Sequence, residues 1–165
     1  MSAGPMKTTM QVTLPSDREI AMTRVLNAPR RLVFDAFTKP ELIKRWLYGP
    51  EGWSMPTCDV ELRAGGSMRY VWRHANGQEM GLRGVFREIV PPERIVHNEI
   101  FDEDWTGGEA TVTTTFVEKD GKTTVTMTIL YTSRETRDSV LKSGMEKGVG
   151  MSYDRLEAML PSMSD

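Results

Sequence analysis

Few side chains in this 165-residue sequence are equipped for reaction chemistry. One cysteine, Cys58, excludes internal disulfides and multi-cysteine zinc sites, and two histidines, His74 and His97, offer little for a metal. His97 and Glu99 are alternate residues, so on a strand they would share a face and pair an imidazole with a carboxylate, the elements of acid–base work. Cys58 needs a neighbouring base to act as a nucleophile, and neither histidine is close in sequence, so it reads as a small strand residue. The chain has no Gly-x-Ser-x-Gly elbow, phosphate loop or dinucleotide fingerprint. Neither a metal nor a cofactor is expected.

Charge narrows the partners. Twenty-one Lys plus Arg against twenty-three Asp plus Glu leave a net charge of −2, with no strong attraction to nucleic acid or an anionic membrane. No apolar stretch approaches the roughly 18 residues of a membrane span, and Met1 to Pro15 lacks the apolar run of a signal peptide. The expectation is one reduced, cytoplasmic domain, a monomer or homodimer, with no nucleic-acid partner and no membrane span.

The elements follow from period and punctuation. Met10, Val12 and Leu14 alternate with polar residues before Pro15, so residues 1–17 are a tail or an extra strand. Arg18 to Leu26 reads as a strand without a clean inner face, because Ile20, Met22 and Arg24 share one parity. Asn27-Ala28-Pro29 starts a short helix with Leu32, Val33, Phe34 and Phe37 on its buried side. Pro40 starts a second, with Leu42, Ile43, Trp46 and Leu47. From Thr57 to Tyr131 the period is two: strands are predicted at 58–63, 67–74, 79–90, 94–101, 110–118 and 122–131. Short connections favour an antiparallel meander, and Asn76-Gly77 suits a tight hairpin with positive φ at both residues.

Residues 133–160 read as one long helix, capped near Ser133 and stopped by Pro161. Gly144, Gly148 and Gly150 inside it cost about 1 kcal/mol each relative to Ala, so either the helix kinks there or the sheet or a ligand approaches closely. Strand, two short helices, meander and long helix make an α+β order in which the helix covers one face of the sheet. Parity gives that face Met68, Tyr70, Trp72 and His74, then Met80, Leu82, Gly84 and Phe86. Farther along it adds Ile95, His97, Glu99 and Phe101, then Val112, Thr114 and Phe116, and last Val125, Met127, Ile129 and Tyr131. The other face carries arginines and threonines, Arg69 and Arg83 among them. An apolar face holding His74, His97, Glu99 and the hydroxyls of Tyr70 and Tyr131 has the make-up of a small-molecule site. Twelve methionines, including Met68, Met80, Met127 and Met145, add adaptable apolar volume.

Several segments also resemble a known family. They are Ala28-Pro29-Arg30-Arg31-Leu32-Val33-Phe34-Asp35-Ala36-Phe37-Thr38-Lys39-Pro40-Glu41, then Arg45-Trp46 and Gly49-Pro50, then Glu61 to Gly66, and Gly84 to Arg94. Together they resemble the bacterial proteins named after the carboxy-terminal domain of the activator of the 90-kDa heat-shock chaperone ATPase, a branch of the SRPBCC or START-like superfamily. The resemblance implies a helix-grip fold over residues 18–161. In that fold a curved antiparallel sheet of six to seven strands wraps around a long C-terminal helix, with a cavity between them and a tail at 162–165. Trp46 and Trp53 would close one end of that cavity, their N–H groups towards solvent.

The leading reading is a small-molecule binding protein with a lipid-like or aromatic ligand. Its candidate ligand-binding residues are Trp46, Trp53, Tyr70, Trp72, His74 and Met80 on the first half of the chain, and His97, Glu99, Met127, Tyr131, Gly144, Met145 and Gly148 on the second. The alternatives are a chaperone-linked interaction module, with a heat-shock chaperone as partner, and a cyclase- or hydrolase-like enzyme using His74, His97 or Glu99.

Overall fold

Pro29 and Pro40 mark the points at which the chain turns from strand into helix. The computed structural model describes residues 10–163. It begins with β1 (Gln11–Thr13) and β2 (Glu19–Leu26), followed by α1 (Arg30–Thr38) and α2 (Pro40–Ile43). The six strands β3 (Trp53–Val60), β4 (Ser67–His74), β5 (Glu79–Val90), β6 (Arg94–Phe101), β7 (Ala110–Lys119) and β8 (Lys122–Leu130) then run as a meander. Helices α3 (Arg134–Lys142) and α4 (Met145–Met159) and a 3₁₀ turn, Leu160–Met163, complete the chain. Residues 1–9 of the segment expected as a tail or an extra strand lie outside the described residues. The 3₁₀ turn takes in Ser162 and Met163, two of the four residues expected as a tail.

All eight strands form one antiparallel sheet in the order β1-β2-β8-β7-β6-β5-β4-β3. The short helices carry the chain from β2 across to the far edge at β3, and α3 and α4 cover the inner face of the curved sheet. This is the α+β helix-grip architecture, with β1 as the extra strand.

Local chemistry explains the departures from expectation. Pro29 is itself the N-cap of α1, at φ −65° and ψ 151°, and makes no side-chain cap. Glu118 at the end of β7 takes over: its Oε1 accepts the Arg30 N–H at 2.8 Å, satisfying one orphan donor of the first turn. Strand β3 starts five residues before Cys58. Pro56 fits there because it falls within a register shift between Ser54 and Thr57 on an edge strand, where a missing N–H is tolerated.

At Asn76-Gly77 only Gly77 has positive φ, 93°, and the turn closes as a three-residue loop with the His74 N–H on the Gln78 carbonyl. The two-residue hairpin with positive φ at both positions lies instead at Asp120-Gly121, φ 55° and 76°. The long helix is two helices. Ser133 caps α3 by accepting the Thr136 N–H, as its sequence implies, and Gly144 at φ 81° breaks the run before α4.

The core follows the parity of the strands. Phe34 and Phe37 of α1 set their rings edge-on against Phe116 of β7, and Tyr153 of α4 packs edge-on against Phe37 and Trp46. A second cluster joins Ile20, Met22, Val112 and Ile129 of the sheet to Val140 of α3. A register shift in β5 between Phe86 and Glu88 inverts the parity, so Ile89 rather than Glu88 packs on the core. Arg24 also points inward. It is 2% exposed, with its guanidinium 2.8 Å from both Asp154 and Glu157 of α4, which is why β2 lacked a clean apolar face.

Candidate functional site

Between the sheet and the C-terminal helices lies a cavity of about 260 Å³. Its floor comes from alternate residues of the central strands: Tyr70 and Trp72 of β4, Leu82 and Phe86 of β5, His97 and Glu99 of β6, and Met127 and Ile129 of β8. Val140 of α3 and Met145, Val149 and Tyr153 of α4 form the roof. Phe37, Trp46 and Leu47 from the helical segment after β2, and Phe101, Trp105 and Thr106 from the end of β6 and the loop after it, complete the lining.

Eight of the sequence-predicted site residues line this cavity: Trp46, Tyr70, Trp72, His97, Glu99, Met127, Tyr131 and Met145. Trp46 differs from expectation in one respect. Its N–H is buried and donated to the Ala36 carbonyl at 2.9 Å, so it locks α1 to the segment after α2 instead of facing solvent. Trp72 likewise donates to the Leu47 carbonyl at 2.7 Å. Both rings are therefore fixed walls.

Trp53, His74, Met80, Gly144 and Gly148 are not part of it. Trp53 and His74 pair at the end of β3 and β4, where their rings pack edge-on at 5.2 Å and His74 Nδ1 accepts the Asn76 N–H at 3.1 Å. They have the correct parity but serve the hairpin end. Met80, opposite Trp72, is 40% exposed as the second residue of β5. Gly144 caps α4 through its left-handed backbone, and a Cβ at Gly148 would meet nothing within 4 Å.

Residues outside that set complete the walls. Phe37 reads as a buried residue of the first short helix, Tyr153 lies within the predicted helix at 133–160, and Trp105 falls between the strands predicted at 94–101 and 110–118. The Trp105 ring leans on Phe101 at 5.5 Å and is half exposed at the cavity's edge. An aromatic beside a Gly-Gly turn was the available signal.

The ionisable polar groups form a small cluster, while Thr106, Thr114 and Tyr153, whose hydroxyl is buried without a partner among the described residues, also belong to the lining. His97 Nε2 lies 2.9 Å from Glu99 Oε1. His97 Nδ1 is buried without a partner among the described residues, so placing the ring proton on Nε2, donated to Glu99, leaves a lone pair rather than an N–H unmatched. Burial raises the pKa of the Tyr70 phenol far above its ordinary range, with Cys58 and then Glu99 adding to the push. Tyr131 is raised by burial first and by Glu99 second. Both hydroxyls therefore stay protonated and able to donate or accept.

Cys58, across from Tyr70 on β3, is buried beside Ile43 and Met55, and desolvation pushes its thiol up to about 11, partly opposed by Lys44. Among the described residues no group of three or more His, Cys, Asp or Glu could hold a metal ion, and no helix is long and apolar enough to cross a membrane.

The architecture recurs in known proteins. A family model described as Activator of Hsp90 ATPase homolog 1-like protein matches residues 27–161. A solved structure from Rhodobacter sphaeroides is 33% identical, with a TM-score of 0.88 over 93% of this chain and 98% of that one. One from Staphylococcus epidermidis is 28% identical, with a TM-score of 0.79 over 94% and 96%. At 19% identity, an AHSA1-like protein from Aeromonas hydrophila shares the fold, with a TM-score of 0.71 over 88% and 95%. No curated protein gives a significant match. The family-model match over most of the chain, together with the helix-grip fold it shares with these structures, establishes that the chain belongs to the Activator of Hsp90 ATPase homolog 1-like family.

Proposed function

We propose that the protein binds a small apolar molecule, lipid-like or aromatic, in the cavity between the sheet and its C-terminal helices. The observation that carries this reading is the cavity itself. It holds about 260 Å³ within the core, and it is lined mainly by aromatic and aliphatic groups with a few polar side chains among them. Binding sites for small ligands have this composition, with volumes of about 300–1,000 Å³ for drug-sized molecules, so a smaller molecule fits here. Native mass spectrometry of protein purified from its own host tests the reading, because it reports cargo and stoichiometry together. The expected result is a bound small molecule on a monomer or homodimer. Mass without cargo, together with Trp72 fluorescence that no member of an apolar ligand panel changes, would overturn it.

The family model supports a second reading, a chaperone-linked interaction module, since its description refers to activation of a chaperone ATPase. That reading expects binding to the bacterial 90-kDa heat-shock chaperone and stimulation of its ATPase at micromolar concentration. Absence of both removes it.

A further inference from the structure

The polar cluster specifies the ligand's head group, an inference that rests on the cavity being a ligand site. Among the described residues Glu99 is the cavity's one carboxylate, and no Lys or Arg lines it. Its neighbours across the two flanking strands are Gly84 and Ala110, the smallest side chains available, and the Met68 side chain lies over Gly84. His97 takes Oε1, and the other oxygen is left for a donor. Burial first and the Glu99 charge after it raise the Tyr70 and Tyr131 phenols, so both hydroxyls stay protonated within the field of that carboxylate. Tyr70 and Trp72, their rings 5.8 Å apart, supply aromatic surface beside this cluster.

We propose that the cavity selects a compact aromatic or alicyclic amine and rejects molecules with a carboxylate or phosphate head. An ammonium brings three N–H donors and no acceptor, which matches one carboxylate and two hydroxyl oxygens. Its charge is offset by Glu99 and accommodated by the aromatic faces. An anionic head would meet Glu99 with no cation to offset either charge, in surroundings where charge repulsion is strong. A neutral alcohol can donate one hydrogen bond and fits less well.

Three probes with one ring system separate these cases: naphthylmethylamine, naphthylmethanol and naphthoic acid, titrated calorimetrically into the full-length protein. The amine is expected to bind about tenfold or more tighter than the alcohol, and the acid to show no binding. Glu99→Gln should erase the preference for the amine while leaving the alcohol within about threefold of its original affinity. Acid binding as tight as amine binding, or equal amine and alcohol affinities in the unaltered protein, would overturn the head-group assignment and leave the cavity reading standing. Equal loss of amine and alcohol in Glu99→Gln with a native circular dichroism spectrum would also overturn it. If none of the three binds, the head-group assignment falls, and the cavity reading falls with it only where native mass spectrometry also shows no cargo.

Discussion

The Arg24 guanidinium of β2 lies 2.8 Å from the Glu157 carboxylate of α4, so a buried cation on the sheet holds the helix that roofs the cavity. Asp154 receives the other side of the guanidinium at 2.8 Å, and the Gly150 carbonyl accepts from it at 3.3 Å. The charge is buried, but both carboxylates reach solvent, so removing the cation strands neither of them completely. Arg24→Ala should cost about 2–3 kcal/mol in urea unfolding, at the low end for a buried pair losing one partner. Arg24→Met should cost less, because it keeps the apolar stem packed. Salt should change the stability of the unaltered protein little at this contact, since the pair is shielded from bulk screening.

Gly144 and Gly148 should respond to alanine with opposite signs. Gly144 has φ 81°, a conformation that costs an L-residue about 1–2 kcal/mol, so Gly144→Ala should destabilise by about that amount. Gly148 is inside α4 with open space where a Cβ would go, so Gly148→Ala should stabilise by about 0.5–1 kcal/mol. Thermal melts of the two variants check both signs. Destabilisation by Gly148→Ala would mean that the sheet or a ligand does need that space.

These two glycines also show where sequence reading reaches its limit. A glycine in a helical pattern signals an exceptional backbone or a close approach, and type alone does not say which. Strand parity was more informative. It placed Tyr70, Trp72, His97, Glu99 and Met127 on one face, because a period of two leaves no other choice within a strand. The same parity put His74 and Met80 on that face, yet both lie at strand ends beyond the cavity. Parity gives a side chain's face but not how far the covering helix extends. Pairs such as Trp46 with Ala36, or Arg24 with Glu157, join distant segments, and no local pattern encodes them.

Asp102 should titrate far below an ordinary aspartate. On the outer face, Arg69 and Arg83 sit directly opposite one another, an arrangement of like charges that Asp102 offsets. It accepts from both Arg69 nitrogens at 2.7 and 2.6 Å and from Arg83 at 2.9 Å. Those bonds, the Arg69 one foremost, hold its carboxyl down to about 2 against an ordinary value near 3.9. A carboxyl lowered in the folded state contributes stability that is complete above the unfolded value and is lost as pH falls through the folded one. This contribution should therefore fade between about pH 4 and pH 2. Carboxyl-detected NMR should place the Asp102 midpoint near the lower limit, and Asp102→Asn should abolish that share of the acid dependence. A midpoint near 4 would show that the bidentate contact does not persist in solution.

Cys58 should behave as an inert thiol while the fold is intact. Its desolvation among Ile43, Met55 and the neighbouring strand raises the thiol to about 11, roughly two orders of magnitude less thiolate at pH 8 than an ordinary cysteine. The raised value concerns loss of a proton, so the stabilisation of the neutral thiol is present below the ordinary cysteine range and declines as pH rises through 11. A disulfide reagent at pH 8 should react with the native protein at least about a hundredfold more slowly than with protein unfolded in guanidinium, where the thiol regains its ordinary value. Comparable rates in the two states would show that the β3 edge opens readily, exposing the cavity floor beside Tyr70 to solvent.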